Sequence, residues 1–485
     1  MAELGAAEIG ALFGATGAVL VCVAGRRSTF LGGVAALVVA EALLLSITLN
    51  VRPVLLGLGL VGLAALCAGA ALFVRYPAVV TPAVLAAAPF RVPLEFDTDN
   101  RFFIDFAQAG ELGRLLPLYA VLGAAVLALV WRTLRGVPLP ALPRPISIPC
   151  AAFIGLACLS IFWTLSEQVG ADVLAFFLLP FAILLATVGR APFPAWMPRI
   201  LAIIALALAC VFAAVGLVEA ATHRTFFGSG AVEVSNMFKP IFRVTSLFRD
   251  PSLYGRHLVL ALIVVVVALL LSRLDIRLAG ALVAVLGTAL FFTYSQSSML
   301  ALFVAVLGVL VAVMPTRLRV VVAVAAVALV AVTAVAVAAD ARDESTRRIT
   351  GGRSIRIEDA ARVVAERPVV GAGIGAQPAA SRRLAEREAT LKGFVSHTTP
   401  LTVAAELGLL GLALYAALLA GAAWAIDQVR RRDLALGLTL GGALVALFVH
   451  SLTYSGFFED PLTWFVLAVA SSFLVSHAPV RTSTP

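Results

Sequence analysis

Lysine is almost missing from this chain: Lys239 and Lys392 are the only two among 36 basic residues. Charge of either sign is scarce as well, at 13% of 485 residues. A soluble domain carries about 25% charged residues, so this chain lacks the polar groups to cover a water-facing surface. The five cysteines, Cys22, Cys67, Cys150, Cys158 and Cys210, form no CxxC pair and lie in or beside apolar runs. That placement argues against metal ligation or a disulfide framework and for small buried hydrophobes. Also lacking are a basic flank ahead of the first apolar run and a cleavage site that stands out from the Ala-rich background. That run is expected to be a retained span rather than a cleaved signal peptide.

What the chain has in excess is apolar surface: 61% hydrophobic residues and a mean hydropathy of +1.04. Its solvent must be lipid. The net charge of +9 invites a nucleic-acid reading, but no basic cluster sits on an amphipathic soluble helix. Arginines gathered on the cytoplasmic side of a membrane account for most of the excess, and no nucleic-acid partner is expected.

A spanning helix needs roughly 20 apolar residues. Runs of that kind lie near 9–25, 28–49, 53–74, 115–131, 148–165, 170–189, 196–218, 255–272, 278–294, 299–314, 320–339, 400–426, 434–455 and 461–476. The expected fold is all-α: a polytopic transmembrane helical bundle of about 14 spans. Residues 77–90 are short and hold Pro77, Pro82 and Pro89, so they span, re-enter or cap the bundle. Arginines recur at every second connection: Arg26 and Arg27, Arg75, Arg132 to Arg144, Arg190 and Arg199, Arg273 and Arg277, Arg317 and Arg319, Arg430 to Arg432. Placing these in the cytoplasm puts the C-terminus inside and favours a span at 77–90, with the N-terminus outside.

The organisation that follows is a block of N-terminal helices at 1–218 with an outer loop at 91–114, and an outer loop at 219–254. Central helices at 255–339, a large outer loop at 340–398, closing helices at 399–477 and a tail at 478–485 complete it. Loop 91–114 mixes aromatics with Glu95, Asp97, Asp99 and Asp105; it closes the bundle or contacts sugars, and closure is the simpler role. Loop 340–398 carries ten Arg and one Lys against eight Asp or Glu. Within it, 354–366 sets Ile357, Ala360, Ala361 and Val364 on one helical face, and Pro368 is the stop.

Arginine in the outer loops has two readings. Long loops translocate regardless of charge, so the guanidinium groups can simply be solvated. They can also form an anion site, because the guanidinium fork matches phosphate oxygens two at a time. Four segments favour the second. In 242–258, Arg243, Arg249 and Asp250-Pro251 come directly before a span, and Pro251 suits a first helical turn whose amides face the loop. Residues 293–300, TYSQSSML, make a polar tight connection. Residues 351–376 end in a Gly-rich turn without the βαβ context of a nucleotide fold. Finally, His397 precedes a span that carries Glu406 inside its apolar run, where a carboxyl is costly and usually paired or functional.

At these segments the chain resembles the O-antigen ligase and polymerase family of bacterial membrane glycosyltransferases, over about 240–415. The residues that carry the resemblance are Arg243, Arg249-Asp250-Pro251-Ser252 and Gly255, followed by Ser295 to Ser298. Then come Arg353, Pro368, Gly371, Gly373 and Gly375, and last His397, Glu406, Gly408 and Gly411. Three positions depart from the family pattern: Ser252 stands for Asn, Ser298 for Arg and Thr398 for Asn. The loss of an Arg at 298 leaves Arg243, Arg249, Arg353 or Arg356 to clamp a diphosphate.

The resemblance implies a GT-C-like bundle in the bacterial cytoplasmic membrane with its active site facing outward. It also implies metal-independent, inverting transfer of a glycan from an undecaprenyl-diphosphate carrier to an acceptor hydroxyl, with no cofactor. On that reading Arg243 and Arg353 bind the diphosphate, supported by Arg249 and Arg356. His397 activates the acceptor or orients the carrier, with Asp250 and Glu406 as alternative bases. Partners are then the lipid bilayer, the carrier-linked glycan and an acceptor lipid, glycan or protein. Two rival readings share the many spans. A transporter or flippase would tend to show repeated halves and midplane charge; no convincing repeat is present. A non-catalytic member that only binds carrier lipid is the other, and Ser298 is its main support.

Overall fold

The structure, a computed structural model, describes residues 5–48, 55–90, 115–238, 240–315, 317–321, 353–384, 396, 398–454 and 456–478. Every regular element among them is helical. Among the described residues, ten helices are long and apolar enough to cross a membrane, and two shorter apolar ones, Ile276–Phe292 and Pro461–Ser476, accompany them. The chain is a polytopic helical bundle. Residues 322–339 of the apolar run 320–339, and the outer loop 91–114, lie outside the described residues.

The bundle begins with a hairpin, α1 (Ala6–Val23) and α2 (Arg27–Thr48), which turns at Arg26. Its seam is made of small residues. Gly10, Ala11, Gly14, Gly17 and Ala18 are buried along α1, and a methyl group at Gly17 would meet the Gly33 carbonyl at 2.9 Å. Lipid offers no hydrophobic drive for helix pairing, so close backbone approach through small residues supplies the contact instead. Cys22, Cys150 and Cys158 are buried as expected, whereas Cys67 is exposed.

After α3 (Leu55–Arg75) comes a 3₁₀ turn, Pro77–Val79, and a short helix α4 (Val80–Ala87). The pair bends by 117° at the break. Eleven residues at about 1.5 Å each cover half of a hydrocarbon core about 30 Å thick, so 77–87 does not cross by itself. The separate span favoured by the arginine rule is therefore corrected, and the prolines at 77 and 82 are consistent with the short, turned segment.

Helices α5 (Leu116–Leu134) and α6 (Arg144–Leu159) lead to a broken span. It consists of α7 (Glu167–Val173), a π turn at Leu174–Leu178 and α8 (Leu179–Val188). Pro180 has no N–H for the Phe176 carbonyl four residues earlier. The Tyr119 hydroxyl donates to that carbonyl instead, satisfying a group that lipid could not. At the other end, Arg190 donates to the Pro140, Ala186, Val21 and Ala24 carbonyls, tying α8 to the α1–α2 turn.

The second half holds α9 (Met197–Thr222), α10 (Gly230–Phe238), α11 (Pro251–Leu270), α12 (Ile276–Phe292) and α13 (Gln296–Val313). The large loop contributes α14 (Arg353–Glu366) and α15 (Gln377–Leu384). The chain closes with α16 (Thr399–Arg432), α17 (Leu434–Ser451) and α18 (Pro461–Ser476). Two apolar cores result. One joins α1, α2 and α5–α8 to α16–α18, and the other joins α9, α11, α12 and α13 to α17. Helix α17 belongs to both, so the loop after it, 452–460, lies where the two halves meet.

Helix α14 confirms the helix expected at 354–366, but its buried face is turned. Ala360 and Val363 are buried whereas Ile357 is 45% exposed and Ala361 is exposed as well. A short apolar set fits two neighbouring helix faces equally well. Packing on Ala372, Ala376 and Ala405 decides between them.

Candidate functional site

The four motif segments meet in pairs. The first pair is the loop before α11 and the turn before α13. Asp250 caps α11, its carboxylate accepting from the Ser252 and Leu253 amides at 2.6 and 3.3 Å, and Pro251 occupies the first helical turn. The expected helix start is present, but those first-turn donors serve Asp250 rather than facing the loop. Arg243 Nε donates to the Thr293 carbonyl at 3.1 Å. Asn236 brackets the Arg243 backbone, accepting from its N–H at 2.9 Å and donating to its carbonyl at 3.0 Å.

The turn at 293–300 is held by Tyr294, which adopts a positive φ of 48°, and by Ser295, whose hydroxyl caps α13. Ser295 and Ser298 share a hydrogen bond at 2.9 Å, and Ser298 donates to the Ser252 carbonyl. Ser298 is fully buried, and a methyl group at Gly255 would meet its Oγ at 2.6 Å. Where the family carries Arg, this chain has a hydroxyl locked between α11 and α13.

The sequence reading missed the groups behind this turn. His450 Nδ1 lies 3.1 Å from Arg256 Nη2, and Arg256 Nη1 pairs with Asp460 Oδ2. A guanidinium only donates, so Nδ1 accepts. The proton then sits on Nε2, which faces the Ser252 carbonyl at 3.2 Å and Ser297 Oγ at 3.4 Å. His450 is thus neutral and its tautomer is set by its neighbours. Its place inside an apolar run gave no spacing signal that links it to Arg256, 194 residues away.

Glu219 was missed as well. It is fully buried at the end of α9 and accepts from the Phe226, Thr245 and Ser246 amides, each at 2.7 Å. One carboxylate thereby folds the arginine-bearing loop back onto its own span. An acidic residue near the end of an apolar run was the available signal.

The second pair is the Gly-rich turn and the span with Glu406. Helix α16 is broken at Gly408, with φ of 68° and ψ of −168°, which frees backbone groups to pair sideways. The Ala372 and Gly373 amides donate to the Ala405 and Glu406 carbonyls at 2.9 and 2.8 Å, and the Leu409 amide donates to the Pro368 carbonyl at 2.7 Å. Gly371 and Gly408 each sit against the other segment's backbone, where a Cβ would collide. On the far side, Ile374 bonds Ser160 and Thr164 through its N–H and carbonyl, each at 2.9 Å. The turn is a backbone clasp between α6 and α16.

Glu406 is 8% exposed and its Oε1 accepts from the Gln377 amide at 3.3 Å. It lines a cavity of about 150 Å³ with Thr399, Thr402, Gly375, Phe457, Phe458 and Glu459. The segment before α16 is pinned next to it. The Ser396 N–H donates to Gln377 Oε1, its hydroxyl pairs with Thr402 and its carbonyl accepts from the Thr402 hydroxyl, while Thr398 donates to the Leu452 carbonyl. His397 itself lies outside the described residues. Arg353 starts α14, but its side chain is also outside them. Arg356 and Arg249 are half-buried, and the Arg249 carbonyl accepts from Ser229.

A wider opening of about 630 Å³ lies on the 219–254 loop, lined by His223, Arg224, Glu233 and Asn236. The loop 452–460 touches both motif pairs: Asp460 reaches Arg256, and Glu459 lines the Glu406 cavity. The O-antigen ligase family model matches residues 280–416, which hold the serine turn, the Gly-rich clasp, His397 and Glu406. Arg243, Arg249 and Asp250 precede the matched stretch. No curated protein matches the chain closely enough to set beside it.

Proposed function

From a multi-pass membrane protein that carries an O-antigen ligase domain at 280–416, we propose a transfer of glycan from an undecaprenyl-diphosphate carrier to an acceptor hydroxyl. The reaction takes place on the extracytoplasmic side of the bacterial cytoplasmic membrane. The acceptor oxygen attacks the anomeric carbon, the bond from that carbon to the diphosphate oxygen breaks, and the diphosphate leaves with the electron pair. Displacement from the opposite face inverts the anomeric centre. Two charges need help: the departing diphosphate and the proton of the attacking hydroxyl.

In this reading Arg243 and Arg353, backed by Arg249 and Arg356, stabilise the diphosphate in place of a metal. His397 takes the acceptor proton, with Glu406 and Asp250 as alternative bases. Asp250 already serves as a helix cap, which leaves Glu406, in its cavity, the better placed of the two. The observation that carries the reading is the convergence of the motif segments: Arg243 is bonded to Thr293 inside the matched domain, and loop 452–460 joins that pair to the Glu406 cavity. Arg243→Ala, Arg353→Ala and His397→Ala, assayed for glycan transfer in membranes, are each expected to lose at least about a hundredfold in rate, as removal of a charge-stabilising or proton-transfer group does. Full activity in Arg243→Ala and His397→Ala together overturns the site. Mass spectrometry of a deletion strain then separates the acceptors: single unpolymerised repeats mark a polymerase, and intact unattached polymer marks a ligase.

A further inference from the structure

Within that reading, on which this inference rests, we propose that the cavity beside Glu406 is the acceptor subsite. It takes a neutral, hydroxyl-bearing sugar ring and excludes the diphosphate. Charge is the first argument. Among the described residues the cavity wall carries two carboxylates, Glu406 and Glu459, and no arginine. An ionised carboxylate only accepts hydrogen bonds. A diphosphate also only accepts, so it would meet two acidic side chains in a half-enclosed site and no arginine among the described residues that line it. Sugar hydroxyls are the donors that such a wall lacks. Arg224 and His223, with Glu233, border the separate opening on the 219–254 loop.

Size and surface are the second argument. A volume of about 150 Å³ is that of a cavity known to admit one six-membered ring. Phe153, Phe457 and Phe458 form part of the wall, with Phe153 and Phe458 stacked at 4.1 Å. A pyranose has an apolar C–H face for aromatic rings and an equatorial rim of hydroxyls for carboxylates. A mostly apolar pocket with a few placed polar groups is the usual form of a ligand site.

The third argument is independent of both. Thr399 lines this cavity, is 5% exposed, and has a hydroxyl without a hydrogen-bond partner. Buried hydroxyls are nearly always paired. A ring hydroxyl in the cavity becomes its partner when the Thr399 side chain, whose oxygen is shielded from solvent, rotates toward it. Thr402, by contrast, is already bonded to Ser396 at 2.7 Å.

Binding can be read without turnover. The full-length protein in lipid nanodiscs is titrated with phenyl β-glycosides of glucose, galactose, mannose and N-acetylglucosamine, and separately with undecaprenyl diphosphate. At least one glycoside is expected to bind. Thr399→Val and Glu459→Gln are each expected to weaken it about tenfold, the loss of roughly one buried hydrogen bond. Thr399→Ser, which restores the hydroxyl, is expected to recover most of that loss. Undecaprenyl diphosphate should bind all four proteins within about twofold. Three results overturn the proposal: no glycoside binds, the glycoside binds every variant equally, or Glu459→Gln changes diphosphate binding more than glycoside binding. If glycoside binding follows the variants while membranes show no glycan transfer, the sugar site stands and the transfer reading falls.

Discussion

Two buried ionic groups do different work at the residue scale. Arg256 and Asp460 are 6% and 5% exposed in their side chains, and their pairing joins α11 to the start of α18 across the two cores. Glu219 instead holds three backbone amides of the arginine loop. Removing that carboxylate orphans donors that have no water to turn to, at about 1–3 kcal/mol for each buried one. Glu219→Ala is therefore expected to raise amide hydrogen exchange at 244–247 by more than about tenfold and to lower transfer through a misplaced Arg243. Unchanged exchange there would show that the loop is held by other means. The outer-loop arginines were legible in the sequence as a group. The carboxylate that positions them was visible only as an acidic residue near the end of an apolar run; its partners are backbone amides, which leave no mark in residue identity.

At the scale of elements, the break in α16 is the feature on which the Glu406 side is built. A straight helix would consume the Ala405 and Glu406 carbonyls internally; the positive φ of Gly408 releases them to the 368–373 segment. With ψ of −168° this conformation is essentially open to glycine only; another residue there is strained by about 1–3 kcal/mol, and at Gly408 its Cβ would also strike the Val369 backbone. Gly408→Ala is expected to lower the thermal midpoint in detergent by several degrees and to abolish the clasp. Gly287→Ala is the contrast, since nothing lies within 4 Å of a Cβ there and alanine favours a helix by up to about 1 kcal/mol. It should leave the midpoint level or raise it. Equal losses in both would mean that the bundle resists any added methyl. The glycines of this turn were visible as a motif. That they serve backbone pairing between two segments became clear only when both segments were seen together.

For the whole molecule, the central question is which side the site faces. The arginine rule puts α10 and its loop outside and the α16–α17 connection inside. In a variant freed of its five native cysteines, a membrane-impermeant maleimide applied to whole cells is expected to label Gly230→Cys and to spare Arg431→Cys until the membrane is opened. The reverse pattern would invert the bundle and move the proposed chemistry to the cytoplasm. This test does not depend on the N-terminal helices, where the bend at Tyr76 removed the separate span that the arginine pattern favoured.

By itself the sequence determined the solvent, the helical class, the rough position of nearly every span and the order of the motifs. Those depend on local composition and on periodicity, which lipid enforces strictly because no backbone group can be left unpaired in it. Only the tertiary structure decided the rest: that Asp250 caps α11, that α14 buries Val363 rather than Ile357, and that 77–87 bends away from the line of α3 and packs on α5 and α9. It also brought Arg256, His450 and Asp460 into one network and put Glu459 beside Glu406. Such contacts join residues far apart in the chain through single hydrogen bonds and side-chain packing. Their geometry is fixed when helices meet, and no repeat or spacing along the chain encodes it.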